Sequence, residues 1–308
     1  MNKLTIIGFG THVKKNIIPA VKRCGNIEIE HILVRDKSKY IDSTESQYIR
    51  SFEDCFSIES EWVYIATPIN SHFDYTKKML KMGKNVICEK PITEDVCKSK
   101  ILYKLAQKNG LKLIEVCIFK YHKQYHELKK FFIENVDRVK SIRCCFTIPH
   151  LDANDIRYSS EMCGGSLLDV GYYPITLLID LCGTPLEMDY RKFFDREVDI
   201  FGYSNMNYET FYAVAEWGIG KSYSNFIEIH TEDDIIYFDR IFSKPHSFQP
   251  NITIKNNEGL KTILLCSDDH FVNLLQNALY GNDYVPGSFL IGNQVLTNIY
   301  NDNNLYEN

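Results

Sequence analysis

No Cys-x-x-Cys pair occurs in the chain, although ten of its 308 residues are cysteine. Cys144 and Cys145 are adjacent, which suits neither an ordinary disulfide nor a zinc cluster. No metal is expected, and the thiols read as reduced, small apolar groups of a cytoplasmic protein. Basic character is missing as well. Thirty-five lysines and arginines against forty acids leave a formal charge of −5, so neither nucleic acid nor an anionic membrane is an expected partner. No cationic start runs into a long apolar stretch, so no secretory leader is expected. The longest apolar segment, Ser166 to Cys182, carries Asp169, Asp180 and Pro174. It reads as too polar and too short to cross a bilayer. Internal repeats and low-complexity linkers are absent too.

What remains is the composition of a globular enzyme, 44% apolar and 24% charged, and long enough for two domains. Leu4-Thr5-Ile6-Ile7 is a short apolar strand running into Gly8-Phe9-Gly10-Thr11-His12-Val13. Ile17, Ile18, Ala20 and Val21 follow at helical spacing. Strand, glycine turn and helix form the context of a dinucleotide fingerprint. Gly8 permits the tight turn, and Gly10 lets backbone approach a pyrophosphate resting on the helix start. Val13 stands where the third glycine would be.

A second strand, Ile27 to Val34, ends where such folds read the adenosine ribose. Arg35, Lys37 and Lys39 follow it, which suits a 2′-phosphate and favours NADP(H), with NAD(H) possible. Asp36 offers the other reading, an acid on the ribose hydroxyl. The third strand, Trp62 to Ala66, closes on Thr67-Pro68, and Asn70, Ser71 and His72 precede a helix predicted from about Phe73 to Lys81. Asn85 to Cys88 is the fourth strand, stopped by Glu89-Lys90-Pro91. A lysine is thereby held where a strand end opens on a ligand crevice, as a proton donor or orienter beside a hydride-transfer site. A helix from about Glu94 to Lys108 and a strand from Leu111 to Phe119 follow. Such repeated units predict an α/β fold with a parallel, doubly wound sheet.

Four blocks together carry a resemblance. Gly8-Phe9-Gly10, Ala66-Thr67-Pro68-Ile69-Asn70-Ser71-His72, Lys81 to Pro91 and Gly164-Gly165-Ser166-Leu167-Leu168-Asp169-Val170-Gly171-Tyr172-Tyr173-Pro174 resemble the Gfo/Idh/MocA oxidoreductases in order and spacing over nearly the whole chain. The resemblance implies a Rossmann domain over 1–119. A second α/β domain over 120–308 would carry a large, mostly antiparallel open sheet, one face of it for substrate and the other for a homodimer or homotetramer. Gly8 to Val13, Arg35, Lys39, Thr67, Pro68, His72, Glu89 and Lys90 would line the cofactor.

Many members carry histidine four residues after the signature aspartate, and Tyr173 replaces it here. That resembles the tyrosine branch, which contains nucleotide-sugar ketoreductases. The tyrosine there is the proton donor and the Glu-Lys-Pro lysine its partner. The chemistry agrees, because ketone reduction needs a proton on oxygen and a nearby ammonium favours phenolate. The implied activity is NADP(H)-dependent reduction of a keto group of a nucleotide-linked hexose. An aldose or diol dehydrogenase of the same fold and a non-catalytic dinucleotide-binding regulator are the alternatives.

Asp169 reads either as a ligand of a substrate hydroxyl or as the cap of a helix Tyr173 to Cys182. Arg157 reads as a sugar or phosphate contact, or as the partner of Asp155 or Glu161. Tyr121 and His122 follow the fifth strand, near nicotinamide and substrate by the resemblance. Taken alone, His122 is more often a satisfied structural histidine than a base. Antiparallel strands are expected around Trp217 to Phe242, helices over Asn273 to Tyr280 and Asn293 to Tyr300, and a frayed polar tail after Asn301.

Overall fold

A computed structural model describes residues 1–281 and 284–302. The tail beyond Asp302 lies outside the described residues. The chain forms two compact units. One comprises Met1–Val116 with Phe271–Leu290, and the other Cys117–His270 with the described residues from Ile291 on.

The first unit is built on β1 (Asn2–Ile7), β2 (Ile27–Val34), β3 (Ile49–Ser51), β4 (Trp62–Ile65), β5 (Asn85–Cys88) and β6 (Leu113–Glu115). The strands lie in the order β3-β2-β1-β4-β5-β6, and every neighbouring pair is parallel. Such a sheet is covered on both faces, which is why its strands are nearly unbroken apolar runs. Leu4, Ile6, Val63, Ile65, Val86 and Ile87 are all fully buried. The order reverses between β1 and β4, and ligands of open α/β sheets bind at such a switch point. Helices α1 (Ile18–Cys24), α2 (Ile69–Lys81) and α3 (Val96–Lys108) connect the strands.

Two boundaries and one strand stand out among the differences from expectation. Helix α2 starts at Ile69, directly after Pro68, whose backbone (φ −60°, ψ 150°) ends the extended segment, so Asn70, Ser71 and His72 are helical. Strand β6 stops at Glu115 rather than Phe119. Its partner β5 ends at Cys88, paired with Glu115, so nothing is left to pair with further on. Strand β3, three residues long, carries too little pattern to be read in the sequence.

The second unit holds α4 (Lys123–Asn135), β7 (Val139–Ile148), α5 (Tyr172–Cys182), β8 (Glu187–Asp195), β9 (Val198–Asn207), β10 (Tyr212–Ile219), β11 (Ser224–Thr231), β12 (Ile235–Asp239), β13 (Asn251–Asn256) and β14 (Gly259–Leu264). Its eight strands follow the order β14-β13-β12-β11-β7-β10-β9-β8. All pairs are antiparallel except β7 with β10. Alternate residues of β10 and β11 enter one core with Leu128 and Phe132 of α4 and Ile175 and Leu178 of α5. Two further helices are α6 (His270–Tyr280) and α7 (Leu290–Asn301), whose Val295, Leu296 and Ile299 join that core.

The apolar stretch judged too short to span a bilayer extends further upstream. Ser160–Cys182 is, by length and composition, long and apolar enough to cross one. Its path is broken by left-handed Cys163 (φ 54°) and Gly165 (φ 107°), and 72% of its most apolar window is buried inside the protein. It is a core segment of the second unit.

Candidate active site

In the first unit the site begins at the glycine turn. Gly8 has φ +102°, and a Cβ there would lie 2.4 Å from the carbonyl oxygen of Ala66, so only glycine fits. A Cβ on Gly10 would meet nothing within 4 Å. The backbone from Gly10 to exposed Thr11 therefore borders open space at the start of a helical run, the cradle a pyrophosphate requires. Val13 is fully buried, and the first turn, Val13–Ile17, is a wide π-turn ahead of α1. Phe9 turns inward. Its ring packs edge-on against Tyr40 at 5.2 Å, with Lys14 Nζ 4.5 Å above it.

At the end of β2, Asp36 accepts hydrogen bonds from Ser38 N (3.1 Å) and Ser38 Oγ (2.6 Å). Those bonds hold its carboxyl below the usual range, and Lys39 Nζ lies 3.9 Å away. Arg35 is exposed and makes no ion pair among the described residues. The acid of the two alternatives is thus engaged internally and the arginine is not.

The Glu89-Lys90-Pro91 segment is held from three directions. Glu89 Oε1 accepts the Tyr64 hydroxyl at 2.5 Å and lies 2.8 Å from His12 Nε2. Burial pushes the Glu89 carboxyl up, but the charge of His12, the Tyr64 hydroxyl and the Lys90 ammonium outweigh it and hold the group at about 2. The Pro91 carbonyl faces His72 Nδ1 at 3.0 Å, and the other ring nitrogen of His72 faces the Thr67 carbonyl at 2.7 Å. Ile92 N donates to buried Glu115 Oε1 at 2.7 Å. His72 is therefore an internal brace between the turns that end β4 and β5. Thr67 and Pro68 are half-buried in the first of those turns, where Ser71 Oγ lies 2.8 Å from both Thr67 Oγ1 and the Pro68 carbonyl. Lys90 is half-buried at the head of the second. Tyr64 and Glu115 escaped the sequence reading. An acid ending an otherwise apolar strand was the available signal for Glu115.

In the second unit Tyr172 is fully buried and Tyr173 half-buried, on the first turn of α5. The Tyr173 ring sits among Phe146 (5.3 Å), Tyr172 (5.5 Å), Phe242 (5.6 Å) and Phe119 (6.4 Å). The three phenylalanines come from separate elements, and no local pattern announces them.

Asp169 does not cap the helix. A π-turn, Leu167–Gly171, extends the helical run upstream, so Asp169 falls inside its first turn. The cap comes instead from Asp199 at the start of β9, which accepts Ser166 Oγ at 2.5 Å and Leu167 N at 2.7 Å. Gly165 makes room for it, since a Cβ there would lie 2.4 Å from Asp199 Oδ1. Gly171 likewise admits the fully buried Trp217 ring, 2.9 Å from where its Cβ would be.

Asp169 Oδ2 accepts from Arg157 Nε at 2.5 Å, and Asp155 Oδ1 accepts from Arg157 Nη1 at 3.0 Å. Arg157 is thus the partner of two carboxylates, one of them the acid next to it in the loop. His122 is fully buried. Its Nδ1 accepts from Gln124 N at 3.0 Å and caps α4, while burial, seconded by the charge of Lys244, lowers it to about 4. It is a neutral capping residue. Tyr121 is half-buried, and burial raises its phenol. Among the described residues no group of three or more His, Cys, Asp or Glu side chains is placed to hold a metal ion.

Residues 3–116 match the family model GFO_IDH_MocA, described as "Oxidoreductase family, NAD-binding Rossmann fold". The match covers the six strands of the first unit's parallel sheet. Among curated relatives of this chain, the dTDP-3,4-didehydro-2,6-dideoxy-alpha-D-glucose 3-reductase of Actinomadura kijaniata is 29% identical over 219 residues, 70% of this chain and 66% of that protein. The enzyme of the same name from Streptomyces violaceoruber is 30% identical over 213 residues, 67% of this chain and 62% of that one. The matched region thus spans just under two thirds of the length of these two relatives. Among solved structures, the 3-ketoreductase KijD10 from Actinomadura kijaniata, in complex with NADP and TDP-benzene, superposes with a TM-score of 0.88 at 24% identity, covering 96% of each chain. That likeness is one of fold: a parallel Rossmann sheet followed by a large, mostly antiparallel sheet.

Proposed function

We propose that the protein is an NADP(H)-dependent ketoreductase acting on a nucleotide-linked hexose, with the C3 ketone of a dTDP-sugar as the first substrate to test. The observation that carries this reading is Tyr173, a half-buried phenol on the first turn of α5, directly after the Gly-Gly-Ser-Leu-Leu-Asp-Val-Gly run and ringed by Phe119, Phe146 and Phe242. The names of the relatives support the substrate class. The cradle at Gly8 and Gly10 supports a dinucleotide, and the unengaged Arg35 supports its 2′-phosphate.

When bound, the reduced nicotinamide supplies a hydride to the carbonyl carbon. The chain's own residues supply the rest. Tyr173 delivers a proton to the carbonyl oxygen, and Lys90, as an ammonium, favours the phenolate left behind. The aromatic rings around Tyr173 lower the dielectric about its phenol, which strengthens charge effects there. Glu89, His72 and Glu115 act at one remove, by fixing the loop that carries Lys90. The proposed setting is the cytosol, supported by ten cysteines that read as reduced thiols. The proposed assembly is a homodimer or homotetramer, supported by the stacked pairs Phe193–Phe201 and Phe226–Tyr237 on strands of the large sheet. Light scattering on the purified protein tests it.

Tyr173→Phe should lower ketone reduction by about 10²- to 10⁴-fold, the usual worth of a positioned proton donor, while NADPH still binds. The readout is NADPH oxidation at saturating cofactor together with a cofactor titration. Wild-type turnover by the variant would remove Tyr173 from the mechanism.

A further inference from the structure

Arg157 was one candidate for meeting a phosphate, and the structure commits it to Asp155 and Asp169. Another arginine of the second unit is placed otherwise. Arg240 follows the last residue of β12, and its guanidinium carbon lies 5.3 Å from the Tyr223 ring centre and 5.1 Å from that of Phe248. It makes no ion pair among the described residues and is half-exposed. Both contacts are with aromatic rings rather than with acids, and no hydrogen-bond acceptor for the guanidinium N–H groups is found among the described residues. Those groups form a rigid fork matched to two phosphate oxygens.

The placement is enforced. Arg240 has φ +48°, a left-handed backbone that is strained for a non-glycine residue. Its N–H donates to the Asn225 carbonyl at 2.7 Å. The buried Asn225 side chain accepts from Phe242 N (2.9 Å) and donates to the Ser243 carbonyl and the Tyr223 hydroxyl (3.1 Å each). One asparagine therefore fixes both the turn bearing Arg240 and one of the rings beneath it. The same turn supplies Phe242 to the wall around Tyr173. Ring contacts of 5.3 Å from Tyr173 to Phe146, 6.5 Å from Phe146 to Tyr223 and 5.3 Å from Tyr223 to Arg240 connect the phenol to the guanidinium.

Resting on the ketoreductase reading, we infer that Arg240, set close to the rings of Tyr223 and Phe248, binds the diphosphate of the nucleotide-linked substrate. It is a specificity residue, separating sugars activated by a nucleoside diphosphate from free sugars. Tyr223 and Phe248 contact its guanidinium, and Asn225 positions it.

Calorimetric titration of the full-length protein with thymidine diphosphate and with thymidine tests this without turnover. Wild type should bind the diphosphate more tightly than the nucleoside. Arg240→Asn keeps a residue tolerant of the left-handed backbone and should weaken diphosphate binding about 10- to 100-fold, the worth of a bidentate charged contact, with thymidine unaffected. Arg240→Lys keeps the charge, loses the fork and should fall between. Tyr223→Leu, which removes one ring contact, should also weaken the diphosphate selectively and serves if Arg240→Asn folds poorly. Equal affinity of wild type for diphosphate and nucleoside would overturn the inference, as would diphosphate affinity within about twofold of wild type in all variants. NADPH oxidation with a keto sugar separates the two claims. Arg240-dependent diphosphate binding without turnover defeats the ketoreductase reading alone. Turnover with an unchanged KM in the Arg240 variants defeats only the diphosphate assignment.

Discussion

Arg35 and Asp36 are neighbours with opposite charges and opposite circumstances. Asp36 has its carboxylate folded back on Ser38, whereas Arg35 is exposed and makes no ion pair among the described residues. An exposed guanidinium costs little to reorganise around a phosphate, whereas Asp36, with Oδ1 tied to Ser38, has only Oδ2 left to offer a ribose hydroxyl. Arg35→Ala should therefore raise the Kd for NADPH about tenfold and leave that for NADH within about twofold. Fluorescence titration with both cofactors measures it. A parallel loss for both would assign Arg35 to something other than the 2′-phosphate.

Among the secondary elements, the start of the helical run into α5 is the most exposed to single substitutions. Asp199 is a buried acid from β9 that satisfies the Ser166 hydroxyl and the Leu167 N–H. Replacing it with alanine strands both donors, and Asp199→Ala should cost about 2–3 kcal/mol, read as a lower urea midpoint with an unchanged slope. The same helix shows where sequence reading works and where it stops. Its apolar run was legible, as were β1, β2 and β5, because each is a run of local choices that agree with one another. Its cap was not. Asp169 has the right residue type near the right place, but a π-turn moved the helix start upstream and an acid thirty residues later took the role. The Tyr173 cage fails for the same reason, since Phe119, Phe146 and Phe242 meet only through the fold. Tyr173 and Lys90 could be singled out in the sequence because each closes a tightly spaced motif, Gly-Gly to Tyr-Pro in one case and Glu-Lys-Pro in the other, and their catalytic roles are the proposal that Tyr173→Phe tests.

Over the whole molecule, buried titratable groups set the response to pH. Burial lowers His122 from 6.5 to about 4 and His270 to about 3. As pH falls from 6.5 towards those values, the unfolded chain takes up protons that the folded chain refuses, so stability declines. Glu89, held at about 2 despite its burial, adds stability above the unfolded value of 4.5 and loses it between 4.5 and 2. Asp199 runs the other way, its carboxyl raised by burial, and softens the acid end. Thermal melting should therefore be lower at pH 5 than at pH 7. His122→Gln should flatten that slope below pH 6.5. An unchanged slope would mean that His122 is already protonated in the folded state.

The brace at His72 has a consequence for observation. The ring is 1% exposed and burial lowers its pKa, yet both nitrogens face carbonyl oxygens. A neutral imidazole carries one ring proton, so two acceptors compete for it, and no solvent reaches either side to exchange it. That proton should give a resolved, slowly exchanging signal in nitrogen-15 spectra of the labelled protein. Its lifetime counts the openings of the two turns that flank the dinucleotide cradle, which makes His72 a built-in clock for motion at the strand ends.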